Sequence, residues 1–167
     1  MISNQITYYK QLDKEIALIF KTSVASKTIA AKHLEPTFSN FLSNKLMIIE
    51  LIRKGVPYSL FNLIQHQTPF TENDWAAFLD VSTKSLQRYK QEQGFHFKPL
   101  HSEKIIEMAE VTNIGLDVFG TTEKFNLWLH TPNYALGNTQ PFELLKDSYG
   151  KEMVIAELTR INYGILA

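Results

Sequence analysis

The chain has 167 residues, 44% of them hydrophobic, enough to bury a core in one compact unit or in two small ones sharing a hinge. Its 17 basic and 17 acidic side chains cancel, so the whole molecule offers no strong attraction to nucleic acid or membrane, and any such binding must be local. With no cysteine, a disulfide framework, a thiolate metal site and a cysteine nucleophile are all excluded.

The first ten residues, Met1 to Lys10, lack the basic start and apolar run of a secretory signal. The longest apolar cluster, Leu46 to Ile52, is broken by Glu50 and falls far short of the ~20 residues that span a bilayer. A cytoplasmic protein without a membrane segment is expected. Ile6, Tyr9, Leu12, Ile16 and Phe20 have helical spacing, whereas Ser23 to Ala31 is small and polar, and residues 1–54 read as an N-terminal helical extension. Within it, Phe38, Phe41, Leu42, Leu46, Ile49 and Ile52 predict one amphipathic helix from Thr37 to Lys54, ended by Gly55 and Pro57. Leu60, Phe61 and Ile64 repeat the helical period over residues 58–66, and Thr68-Pro69 breaks it.

Thr71, with Asp74 three positions on, is a good helix start, and residues 72–79, a tight turn at Asp80-Val81 and a second helix capped by Ser82 read as a helix-turn-helix. On the second helix Leu86 and Tyr89 face inward, while Lys84, Gln87, Arg88 and Gln91 share the opposite face. Arg88 can make two hydrogen bonds to guanine and Gln87 two to adenine, and Lys84 and Lys90 can neutralise phosphates. Between Val81 and Ser102 the only acid is Glu92, against Lys84, Arg88, Lys90 and Lys98, so the local balance is basic. Taken alone, such a face is as well explained by solvation as by DNA readout.

Gly94 to Phe97 is the only short extended candidate, and Pro99 ends it. Helices are expected over residues 101–118, 121–130, 141–149 and 151–163, which makes the chain all-α. Glu103, Glu107 and Glu110 share a helix face that reads as solvated. His33, His66, His96, His101 and His130 show no close metal-ligand spacing, and there is no Gly-rich phosphate loop or nucleophile elbow. Neither a cofactor nor enzyme chemistry is expected. Pro132 and Asn133 stop one helix, Gly137 supplies a turn, and Pro141 with Glu143 opens the next helix. Trp128, Leu136 and Leu145 suit core packing, with Trp128 as anchor. On the last helix Val154, Leu158, Ile161 and Ile165 form a stripe flanked by Met153, Arg160 and Tyr163, residue types favoured in interfaces, and Gly164 precedes an apolar tail, Ile165-Leu166-Ala167.

The run from Trp128 to Leu145, Trp-Leu-His-Thr-Pro-Asn-Tyr-Ala-Leu-Gly-Asn-Thr-Gln-Pro-Phe-Glu-Leu-Leu, resembles the toxin-binding domain of Xre-type antitoxins, the partners of RES-domain toxins. Gly55-Val56-Pro57, Val118-Phe119-Gly120 with Glu123, and Gly150, Val154, Leu158, Arg160-Ile161 and Tyr163-Gly164 extend the likeness over residues 55–167. Three positions depart from the family pattern: Asp80 stands where the turn usually has Gly, Asn138 replaces a second Gly, and Asp147 replaces a Thr. The first two tolerate a left-handed backbone. The resemblance implies a Cro-like helix-turn-helix domain over residues 55–100, followed by a small helical toxin-binding domain over residues 101–167. It implies operator contacts from Ser82, Thr83, Lys84, Ser85, Gln87, Arg88, Lys90 and Gln91. Toxin contacts are expected from Pro132, Asn133, Leu136, Gly137, Pro141, Met153, Arg160, Tyr163 and the tail Ile165, Leu166 and Ala167. The expected partners are a RES-domain toxin that consumes NAD, operator DNA and a second copy of the chain. The alternative is a stand-alone transcriptional regulator whose C-terminal domain dimerises or senses another protein.

Overall fold

The structure, a computed structural model, describes residues 2–21 and 36–164, with side chains from Tyr8 onward. Among the described residues the α-helices are α1 Ile2–Phe20, α2 Phe38–Leu42, α3 Lys45–Lys54, α4 Tyr58–Gln67 and α5 Glu72–Phe78. They continue with α6 Thr83–Gln91, α7 Pro99–Phe119, α8 Thr122–Leu129, a 3₁₀ turn Tyr134–Leu136, α9 Pro141–Leu144 and α10 Ser148–Asn162. No β-strand occurs among them, only isolated bridges at Pro57–His96 and Asn133–Thr139. The fold is all-α, and no described helix is long and apolar enough to cross a membrane.

Packing divides the chain into two compact units, Met1–Gln67 with Lys84–Ile106, and Thr68–Thr83 with Glu107–Ala167. In the first, α1 packs on α4 and α2 through Leu12, Ile16 and Phe20, all fully buried, and Asp13 accepts a hydrogen bond from the Phe38 amide at 2.8 Å. The helical spacing therefore buries Leu12, Ile16 and Phe20 along one stripe, while Tyr9, expected to share it, is exposed. Residues 37–54 form two helices instead of the one expected. The chain breaks at Ser43-Asn44, where the Asn44 side chain accepts from the amides of Leu46 and Met47 and so starts α3 afresh. That break resets the helical phase: Met47, Ile48 and Leu51 are buried, whereas Leu46 is 71% exposed and Ile49 also faces out. In α4 the expected residues Leu60, Phe61 and Ile64 do form the buried face.

The buried Ser102 knits the start of α7 to the α3–α4 junction. Its hydroxyl accepts from the Val56 amide at 2.8 Å and donates to the Phe97 carbonyl at 3.2 Å, which satisfies polar groups that burial would otherwise penalise.

The second unit is built on Phe70, Trp75, Phe78 and Phe142, whose rings meet mostly edge to face. A second aromatic group joins Phe119, Phe125 and Trp128. Phe125 fills its centre, fully buried, and Trp128 is only half-buried, so Trp128 flanks this core instead of anchoring it. Thr71 and Asp74 complete a reciprocal capping box at the start of α5. Asp80 adopts φ 50° in the turn that follows, the left-handed geometry usually given to glycine there.

Candidate functional site

Helix α6 presents Lys84, Gln87, Arg88, Lys90 and Gln91 to solvent, with Ser82 exposed just before it. Thr83 and Ser85 are half-buried, and Leu86 is buried on the opposite side. Aromatic stacking fixes which face turns outward. The Tyr89 ring lies parallel to Phe95 at 4.1 Å between centroids and meets Phe97 edge-on at 5.8 Å; Phe97 in turn meets Phe61 edge-on at 4.9 Å. Phe95 and Phe97 are held by backbone pairing, with the Tyr58 amide donating to the Phe95 carbonyl at 3.0 Å and the Phe97 amide to the Val56 carbonyl at 2.9 Å. The short extended stretch legible in the sequence is thus the backing plate of α6. The Arg88 guanidinium sits 5.4 Å over the Tyr89 ring, an attraction that limits the postures of an otherwise free side chain.

In the other unit, residues 130–141 form a closed loop. The Asn133 amide donates to the Thr139 carbonyl at 3.1 Å, and the Asn138 amide donates to the Asn133 carbonyl at 2.9 Å. Gly137 (φ 69°) and Asn138 (φ 59°) turn the chain in successive left-handed conformations, so Asn138 does preserve the turn. The Asn133 side chain joins loop and helix: its oxygen accepts from the Ala135 amide at 2.8 Å, and its nitrogen donates to Glu157 on α10 at 3.3 Å. Glu157 is buried, and Arg160 grips it with two donors, Nε to Oε2 at 2.8 Å and Nη2 to Oε1 at 2.7 Å.

These bonds place the residues expected to contact a partner. Pro132 and Gly137 are exposed and Asn133 is half-buried, whereas Leu136 and Pro141 are turned inward. On α10, Val154 and Leu158 are fully buried, while Met153 and, at the C-cap, Tyr163 are exposed. Arg160 belongs to the Glu157 clamp, so Arg160→Glu would set two carboxylates together and disturb the fold before it tested any contact. Ile165, Leu166 and Ala167 lie outside the described residues. Sequence reasoning missed Glu157, Tyr134 and Tyr149. Tyr149 was legible, since it stands four residues before Met153 on a row that continues through Ala156, Arg160 and Tyr163. Asp147 occupies the N-cap of α10 without a side-chain cap bond, and nothing in the structure explains its choice over threonine.

The glutamates of α7 are not the solvated face expected of them. Glu107 is buried and Glu110 largely so, both 3.8 Å from the Lys151 ammonium; only Glu103 is exposed. Two carboxylates opposite one lysine form a structural ion cluster that joins α7 to α10 within this unit. The described histidines are scattered: His66 stacks on Tyr8, His96 bonds the Gly94 carbonyl, His101 lies near Phe97, and His130 stacks on Phe142.

The Arg160 hydrogen bonds hold the Glu157 carboxyl below its ordinary value of 4.5, helped by Asn133 and opposed by burial. A carboxylate whose folded pKa is depressed adds stability above its unfolded value and loses it as pH falls through the folded one. Glu157→Gln should therefore cost about 1–2 kcal/mol near neutral pH, and the gap from wild type should close on acidification below 4.5. Thermal melts of both proteins from pH 7 to pH 3 check this; a gap independent of pH would mean that the carboxylate charge is not what holds the loop.

Two family models match the chain. The antitoxin Xre-like helix-turn-helix domain covers residues 47–110, and the antitoxin Xre/MbcA/ParS C-terminal toxin-binding domain covers residues 115–164. The order is that of a helix-turn-helix regulator carrying a toxin-binding domain, and together the matches span more than half of the chain. The chain belongs to the Xre-type antitoxins. Comparison with curated proteins finds no match.

Proposed function

We propose that this chain is the antitoxin of a type II toxin-antitoxin system that binds a RES-domain, NAD-consuming toxin directly and occludes its active site, and that it represses its own operon as a homodimer. Under this reading it works in the cytoplasm, residues 55–100 read the operator and residues 101–167 hold the toxin. The observation that carries the reading is the pair of family matches in this order on a chain whose α6 turns Lys84, Gln87, Arg88 and Gln91 outward. Those side chains have the donors for base edges and phosphates, with Ser82, Thr83, Ser85 and Lys90 beside them, and a two-fold operator would require two copies. Neutralisation by occlusion asks for no chemistry from the antitoxin.

Arg88→Ala is expected to weaken operator binding by about 1–3 kcal/mol with an unchanged fold, because an exposed side chain of the reading helix supplies contacts and little packing. Gel shifts at fixed salt, with circular dichroism as control, measure it, and unchanged affinity would remove α6 from the interface. Co-expression with a RES-domain toxin, read out as growth and cellular NAD, tests the antitoxin role. Operator binding without protection would instead favour a stand-alone regulator.

A further inference from the structure

We infer that the toxin is gripped by an uncharged aromatic face of the C-terminal unit, formed by Tyr134 on the closed loop, by Tyr149 and Met153 on α10 and by Tyr163 at its C-cap. This deepens the proposed antitoxin function and rests on it. Among the described residues of this unit the large apolar side chains left exposed are Leu127, Tyr134, Tyr149, Met153 and Tyr163, and four of these five lie on α10, at its C-cap or on the loop tied to it. Tyr134 is 83% exposed, Tyr149 85%, Tyr163 76% and Met153 47%. Tyr149, Met153, Ala156, Arg160 and Tyr163 recur at intervals of four and three residues, so they share one side of the helix.

Asn133 ties the loop that carries Tyr134 to α10. Its partner Glu157 stands four residues after Met153 and three before Arg160, next to the row. The Glu157–Arg160 pair absorbs the row's one charge, which leaves hydroxyls, rings and a thioether for a partner to meet. The fitting partner surface has apolar pockets edged by neutral hydrogen-bond groups, and it need not be anionic or cationic. Aromatic side chains bury about 150–250 Å² each, so these four residues offer on the order of 500 Å². A standard interface takes ~800 Å² from each partner, so this face supplies the larger part of one. The family match described as toxin-binding covers all four positions, which commits the face to the toxin. Asn133, Glu157 and Arg160 are positioning residues: they hold Tyr134 beside α10 and touch no partner themselves.

Binding of the full chain to a purified RES-domain toxin with which it co-purifies, by titration calorimetry, tests the inference. Tyr134→Ala and Tyr149→Ala should each raise Kd at least tenfold, with melting temperature and operator binding unchanged, whereas Tyr149→Phe should bind within about threefold of wild type. Asn133→Ala should lower both affinity and melting temperature, as a positioning residue would. Alanine variants that bind like wild type would overturn the face while leaving the antitoxin reading intact; a wild-type chain that binds no toxin would overturn both. Size-exclusion chromatography with light scattering closes the remaining route: if Tyr149→Ala converts a dimer to a monomer, the face joins two copies of this chain and the inference fails.

Discussion

Phe97→Ala is expected to lower the stability of the N-terminal unit by about 3–5 kcal/mol, the usual cost of truncating a buried aromatic. Phe97 is 2% exposed and meets Phe61, Tyr58, Phe95 and Tyr89, so its loss opens a cavity where α4, α6 and the 95–97 segment converge. Its neighbours are rigid rings fixed by backbone pairing, which limits collapse into the void. At about 2–4 °C per kcal/mol for a chain of this size, the melt should fall by ~6–20 °C. Operator affinity should fall with it at temperatures where the variant is still folded, because Tyr89 loses the edge that sets the roll of α6. Phe97→Leu should recover most of the stability. A Phe97→Ala protein that melts within a degree or two of wild type would show that this plate does not hold α6.

Gly150→Ala carries the second largest expected effect, and its sign opposes helix propensity. Gly150 lies inside α10, where exchange for alanine ordinarily stabilises by up to about 1 kcal/mol. Here a Cβ would stand 2.0 Å from the Leu144 carbonyl oxygen and 2.8 Å from its carbon, both backbone atoms. They cannot swing aside: Leu145 is fully buried, and the turn is pinned by the Asp147 amide on the Leu144 carbonyl and the Lys151 amide on the Asp147 carbonyl. Separating α9 from α10 should cost about 3 kcal/mol, displace the row that begins at Tyr149, and abolish co-purification with the toxin. Operator binding should persist, since Lys84, Gln87, Arg88 and Gln91 belong to the other unit. Urea melts with tryptophan fluorescence, beside gel shifts, check both halves; a stabilised Gly150→Ala would show that the α9–α10 contact yields.

What the sequence by itself determined were features whose physics is local. The capping box of Thr71 and Asp74, the left-handed turns at Asp80 and Asn138, and the buried stripe of α4 depend on bonds or spacings within a few residues. The outward face of α6 was legible for the same reason, because Leu86 and Tyr89 mark the other side. The motif around Trp128 pointed to the family through residues that mostly shape the fold: Leu136, Pro141 and Leu145 are buried. Tertiary structure alone decided the rest. Periodicity places Glu107 and Glu110 on one side of a helix without saying what covers that side, and the approach of Lys151 helps to make burial tolerable. The same holds for Glu157, whose partner Asn133 is 24 residues away, and for Gly150, which is glycine because another helix end rests against it. Between Phe38 and Lys54, a single Asn44 cap shifted the phase and exposed Leu46 in place of Met47. A helical repeat fixes which residues share a face, and only packing fixes what that face meets.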